Sequence, residues 1–214
     1  MKVRCVKVGL IQTNCYIVED DAQGSEPFVA VIDPGDNAQF IAGFLDREPT
    51  HIILTHCHFD HIGALKALHQ IFPDAVIAVG EHEHYNPEHI AEIARRALGS
   101  FFYSYGIDES LSDLPEPTIL LKDGDTIGPF TVIHTPGHTD GSICLYSKKD
   151  SVLFSGDTLF RHSYGRTDLG GSEAQIMQSL QRLLHLDPQT TVYPGHEEPT
   201  VIADEQSYFR SAIF

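Results

Sequence analysis

Cationic side chains are scarce in this chain: 14 Lys and Arg stand against 30 Asp and Glu in 214 residues, a formal net charge of -16. Such a balance repels phosphate backbones, and no local cluster of Lys and Arg offsets it, so the electrostatic footprint of a nucleic-acid binder is missing. Cysteine is sparse as well. Cys5, Cys15, Cys57 and Cys144 are scattered and form no Cys-x-x-Cys pair, which excludes a disulfide-stapled scaffold and points to reduced thiols in a cytoplasmic protein. Long apolar runs are absent, and no small-residue cleavage site follows Met1-Lys2-Val3-Arg4-Cys5, so neither a membrane span nor an export signal is expected. No linker, repeat or low-complexity segment breaks the chain, and at 23.7 kDa a single domain over residues 1–214 is expected.

What the chain does have is an ordered succession of strands, helices and turn signals. Val3 to Gly9, Cys15 to Glu19 and Phe28 to Asp33 read as strands, the last closed by Pro34-Gly35. Asp36 is placed to cap a helix with Phe40, Ile41, Phe44 and Leu45 on one face, which Pro49 stops. A strand from His51 to Thr55 then leads into His56-Cys-His-Phe-Asp-His61, after which Ile62 to Phe72 has helical spacing and Ala75 to Val79 reads as a buried strand. Gly80 to Pro117 is mostly helical in pattern and holds Phe101-Phe-Tyr-Ser-Tyr105, expected to pack in the core. Strands return at Phe130 to His134, Ser142 to Ser147 and Ser151 to Phe154. A final helix starts at the capping box Ser172-Glu-Ala-Gln175, with Ile176, Leu180, Leu183 and Leu184 buried, before a last strand at Thr191 to Tyr193. This order suggests an α/β fold with two packed sheets and helices outside.

Chemistry concentrates in the histidines. In His56-x-His58-x-Asp60-His61 the first two histidines project from one side of an extended loop, while Asp60 and His61 turn toward a second point. Three more candidates stand at strand ends beside turn residues: His138 in Pro136-Gly-His-Thr139, Asp157 in Ser155-Gly-Asp-Thr158, and His196 in Pro194-Gly-His-Glu197. Together they exceed the four ligands of a closed tetrahedral site and suit two metal ions that share a carboxylate. Imidazole and carboxylate without thiolate fit Zn(II), Fe(II) or Mn(II). His82-x-His84 repeats the spacing but lacks a following Asp-His, and Cys57, which points away from its histidine neighbours, is expected to pack rather than to act as a nucleophile.

With these motifs in this order the chain resembles the metallo-β-lactamase superfamily, whose fold is a four-layer αββα sandwich. Thr13-Asn-Cys-Tyr16, Ile32-Asp-Pro-Gly35, Thr135-Pro-Gly-His-Thr139, Gly156-Asp-Thr-Leu-Phe160 and Gly165-Arg-Thr-Asp168 are similar to the hydroxyacylglutathione hydrolases (glyoxalase II), in particular their short bacterial form. The resemblance implies that His56, His58 and His138 hold one metal ion, that Asp60, His61 and His196 hold the other, and that Asp157 bridges. The ions would be zinc, with iron or manganese as alternatives. It also implies that Arg166 contacts substrate, although an intramolecular pair with Asp168 is an equal alternative.

The implied reaction is attack on a thioester carbonyl by a hydroxide that bridges the metals and is oriented by Asp60, the substrate being S-lactoylglutathione or a related hydroxyacyl thioester. The chain ends 18 residues past His196 and reads Glu197-Glu198 after it, which departs from long glyoxalases II and leaves the thiol carrier open. Small molecules are the expected partners, with no nucleic acid and no membrane, and the protein is expected as a monomer or homodimer. Two other readings remain: a persulfide dioxygenase with one iron on His56, His138 and Asp157, and a non-enzymatic metal-binding protein.

Overall fold

The computed structural model describes residues 1–21 and 27–213, with the side chains of residues 105, 108 and 211–213 left aside. They form two compact units, Met1–Val79 with His84–Leu120, and Gly80–Glu83 with Leu121–Phe214.

The first unit is built on strands β1 (Lys2–Val8), β2 (Thr13–Asp20), β3 (Phe28–Ile32), β4 (His51–Ile53), β5 (Val76–Gly80) and β6 (Ile119–Leu121), side by side in chain order. β1, β2 and β3 pair antiparallel, whereas β3, β4 and β5 pair parallel. Strands of a parallel array are covered on both faces, which is why β3 reads as an unbroken apolar run and is buried throughout. Helices α1 (Ala38–Ala42), α2 (Phe59–Ile62), α3 (Leu65–Ile71), α4 (Pro87–Leu98) and α5 (Ile107–Leu111) contribute Ile41, Ile62, Leu65, Leu68 and Ile90 to its core.

Three expected features of this unit shift. Asn37, not Asp36, caps α1: its φ is 55° and its side chain accepts from the Phe40 N–H, while the Asp36 carboxylate accepts from the Asn37 N–H. Phe40 is exposed instead of buried and meets Phe44 edge-on, with ring centroids 5.0 Å apart. The helix read over Ile62 to Phe72 is two helices, because the chain must pass against the Asp33-Pro-Gly35 turn. The Ala64 N–H donates to the Pro34 carbonyl at 2.9 Å, and a Cβ on Gly63 would stand 2.4 Å from the Gly35 oxygen. In the aromatic run, Phe102 is in the core, but Phe101 and Tyr103 are exposed on a 3₁₀ helix over Gly99–Tyr105.

The second unit holds β7 (Thr126–Ile127), β8 (Phe130–His134), β9 (Ile143–Ser147), β10 (Val152–Gly156), β13 (Thr191–Pro194) and β14 (Thr200–Val201), in the sheet order β14-β13-β10-β9-β8-β7, with a small hairpin of β11 (Leu159–Phe160) and β12 (Ser163–Tyr164). Helix α6 (Glu173–Leu183) starts at the expected Ser172 cap, whose side chain accepts from the Gln175 N–H, and buries Ile176, Leu180 and Leu183. A last helix, α7 (Ile202–Ile213), was not expected: its apolar anchors Ile202 and Phe209 are seven positions apart, too few to mark a helical stripe. β6, β7 and β14 also escaped the pattern because strands of two or three residues carry no alternation to read.

Among the glycines of the first unit, Gly35 has the least room, against α2. A Cβ on Gly35 would lie 1.8 Å from the Asp60 carbonyl oxygen, so backbone meets backbone with no flexible side chain to yield. Gly35→Ala should therefore destabilise the protein by about 2 kcal/mol or more in urea unfolding; a midpoint unchanged from wild type would show that the two loops are not locked together.

Candidate metal centre

Asp33 ends β3 in a left-handed conformation, φ 53°, its N–H donating to the Ile53 carbonyl of the neighbouring strand. That places its carboxylate beneath the histidine motif, 1 % exposed. One oxygen accepts from the Thr55 N–H at 2.7 Å, and the other accepts from the Thr55 hydroxyl at 2.6 Å and from His61 Nδ1 at 3.0 Å. Because the Thr55 hydroxyl spends its proton on Asp33, it can only accept from His56 Nδ1, 3.1 Å away. Both histidines are thus fixed with the proton on Nδ1 and the lone pair on Nε2, the form that binds a metal.

The other donors of this unit are held as firmly. The His56 ring lies 4.0 Å, centroid to centroid, from that of His61 and 4.8 Å from that of His58. Thr13, buried at the start of β2, donates its hydroxyl to Asp60 Oδ2 at 2.9 Å, and this same oxygen is 3.2 Å from His61 Nε2. Asp60 and His61 lie in the first turn of α2, where His58 is the residue before the helix, so the motif crosses from loop into helix instead of ending before it. An Asp33 carboxylate oxygen stands near enough to His56 and His61 to be counted with them as a third donor. Its three hydrogen bonds, two of them traceable to the Nδ1 side of the histidines, make it the group that orients the ligands.

In the second unit, His138 Nε2 is 3.6 Å and His196 Nε2 is 3.5 Å from the same oxygen of Asp157. Donor atoms around one tetrahedral ion at about 2.1 Å are roughly 3.4 Å apart, so these separations, like that of Asp60 and His61, match neighbouring ligands better than hydrogen bonds. Asp157 follows the end of β10, where the ladder with β13 slips at Phe154 and Gly156 and the Gly195 N–H donates to the Gly156 carbonyl at 2.8 Å. His138 is oriented by backbone: its Nδ1 donates to the Arg166 carbonyl at 2.7 Å. A Cβ on Gly165 would fall 1.8 Å from the Asp157 oxygen and 2.9 Å from His138 Nδ1, so only glycine lets that strand lie so close.

The residues present fit a divalent metal: neutral imidazoles with Nε2 as donor, carboxylates beside them, and no thiol among the donors. Cys57 is buried in the apolar core, as expected of a packing residue. Burial pushes the Cys144 thiol up to about 11 and the Cys15 thiol well above its usual range. The Arg166 guanidinium forms a bidentate pair with Asp168, at 2.7 and 2.6 Å, with both side chains more than half exposed. Asp33, Thr55, Thr13 and Gly165 are contributors that the ligand pattern did not single out, although three of them sit in segments whose resemblance to glyoxalase II is visible in the sequence. Among the described residues no helix is long and apolar enough to cross a membrane.

Comparison with known proteins agrees with this geometry. Residues 8–196 match the metallo-beta-lactamase superfamily model. The chain is 33% identical to hydroxyacylglutathione hydrolase GloC of Haemophilus influenzae and 34% identical to the probable metallo-hydrolase YqgX of Bacillus subtilis, each alignment covering 96% of this chain and 95% of the relative. The crystal structure of TTHA1623 in a di-iron-bound form superposes with a TM-score of 0.79 at 34% identity, covering 94% of this chain and 96% of that one. The chain belongs to the metallo-β-lactamase superfamily, and its fold is the α/β fold of that family. It is a metal-dependent hydrolase with His and Asp metal-binding clusters.

Two substitutions separate the roles assigned above. Asp33→Asn keeps the size but replaces an acceptor by an amide, and should weaken metal binding about ten- to a hundredfold in chelator competition. Arg166→Ala keeps the carbonyl that holds His138 and should leave metal affinity at the wild-type value, whereas Gly165→Ala should lower it. Equal losses for the two neighbours would refute orientation of His138 by the backbone.

Proposed function

We propose that this protein hydrolyses a thioester, S-lactoylglutathione or a related hydroxyacyl thioester, at a centre of two divalent metal ions. In this reading His56, His58 and His138 hold one ion, Asp60, His61 and His196 hold the other, Asp157 bridges, and residues 1–214 act as one catalytic domain. The observation that carries it is the pair of donor sets, in which His61 with Asp60, and His138 and His196 with Asp157, stand at ligand separations of 3.2 to 3.6 Å. The relative named hydroxyacylglutathione hydrolase, at 33% identity over nearly the whole chain, supports the thioester as substrate. Zinc is the proposed metal, and the di-iron form of a similar protein keeps iron as the alternative.

Bound divalent ions supply a lowered pKa for coordinated water, toward about 7, and polarisation of a carbonyl oxygen. The protein's own part is positional. Thr55, Asp33 and the Arg166 carbonyl hold the proton of His56, His61 and His138 on Nδ1 and leave Nε2 to face a metal. Asp60, with Oδ2 held by Thr13, orients the attacking water toward the thioester carbonyl. The departing thiolate needs no acid, since a thiol with a pKa of about 8.5 is a good leaving group near neutral pH. Thiols instead of disulfides at all four cysteines suit a cytoplasmic setting.

Metal analysis, thiol release from S-lactoylglutathione and oxygen uptake with glutathione persulfide test this together. About two metal equivalents per chain with thiol release and no oxygen uptake is the expected outcome. One iron per chain with oxygen uptake would replace the hydrolase by a dioxygenase. Asp60→Ala should lower kcat/KM for the thioester at least a hundredfold; wild-type turnover by that variant would contradict the two-metal mechanism.

A further inference from the structure

The first unit contains a cavity of about 280 Å³ that the ligand set does not account for. Its wall includes Asp60 and Phe59 of the histidine motif, Leu10 and Ile11 from the turn between β1 and β2, Leu98 at the end of α4, and Ile107 at the start of α5. We propose that this cavity receives the acyl group of the substrate, and that the acyl groups it favours carry an apolar chain beyond the thioester carbonyl. The proposal rests on the thioester reading for its reaction and on the cavity itself for its substrate class.

Three observations support it. The wall is mainly aliphatic and aromatic, with glycines at positions 9, 35 and 63 among its residues. Its polar side chains are Asp36, Asp60 and Ser110, with no Lys, Arg or His among the described residues that line it. Two carboxylates and no cation repel an anionic thiol carrier, whereas an alkyl chain meets only the apolar wall. At 280 Å³ the space lies at the lower edge of small-ligand pockets, which run from roughly 300 to 1,000 Å³, too small for a tripeptide thiol with its acyl group but adequate for the acyl chain alone.

The second observation is at the mouth. Leu10 is 54% and Ile11 43% exposed, two apolar side chains presented to water on a turn fixed by Gly9 at φ 68° and Gln12 at φ 59°. Adjacent apolar side chains held out in this way gain from a ligand that covers them. The third is the position of Asp60, which stands in the wall and is also the residue proposed to orient the attacking water. Under the proposal, a chain seated against Leu98 and Ile107 shares its wall with Asp60.

The test uses the metal-loaded protein and glutathione thioesters of acetate, butyrate and hexanoate beside the lactoyl ester. In the wild type kcat/KM should rise about threefold for each added methylene, the gain expected when one CH₂ leaves water. Leu98→Trp, which fills the cavity, should flatten that slope, as should Ile11→Asp, a substitution at an exposed position that threatens folding less. Separately, hexanol should shift the methyl resonances of Ile11 and Ile107 in the wild type. Turnover with a slope that is flat or falls with chain length overturns the proposal. Hexanol shifts without turnover of any thioester would sink the thioester reading and uphold the apolar pocket; neither shifts nor turnover would sink both.

Discussion

A buried carboxylate carries the rest of this site. Taking a carboxylate out of water costs several kcal/mol unless its oxygens are satisfied, and hydrogen bonds to a charged group contribute roughly 1.5–3 kcal/mol each. Asp33, 1 % exposed, accepts three of them, from the Thr55 backbone, the Thr55 hydroxyl and His61. These bonds offset its burial and at the same time decide which nitrogen of two histidines carries the proton. The strand ends of β3 and β4 are tied by the same group, since Thr55 lies two residues past β4 and Asp33 follows β3. Structure and chemistry therefore share one anchor: what completes the turn at the sheet's edge also prepares the ligands.

The acceptors that set the imidazoles differ in kind: a carboxylate for His61, a hydroxyl for His56 and a backbone carbonyl for His138. All three deliver the same tautomer. What they require in common is close approach of backbone, and the glycines supply it. Gly35 lies under Asp60 and Gly165 lies under Asp157, each at a distance that leaves no room for a methyl group. The turn residues of the motifs thus act as spacers, and the polar residues between them act as ligands or as the groups that aim them.

The proposed ligands can be read from the sequence because short spacing confines them: His56-x-His58-x-Asp60-His61 has few ways to arrange itself, and His138, Asp157 and His196 each follow a glycine. The sheets were legible where strands are long, as at β2 and β3, and not at two-residue strands such as β7 and β14. Orientation was harder to read. Nothing in the spacing of Asp33, Thr55 and His61 says that 28 residues of separation close into one hydrogen bond, since that depends on parallel pairing of β3 with β4. Arg166 shows the same limit from the other side: the pairing of its guanidinium with Asp168 is one of the two roles its motif offers, while the use of its carbonyl by His138 has no signal in the sequence.

The left-handed backbone at Asp33 has a consequence for how this chain could change. At φ 53° a glycine would sit without strain, and most other L-residues would not. A glycine would ease the backbone but leave the Thr55 N–H, the Thr55 hydroxyl and His61 Nδ1 without their acceptor, three buried donors whose loss outweighs the strain removed. The same two oxygens hold the strained turn and aim the histidine, so fold and chemistry ask for the same residue here.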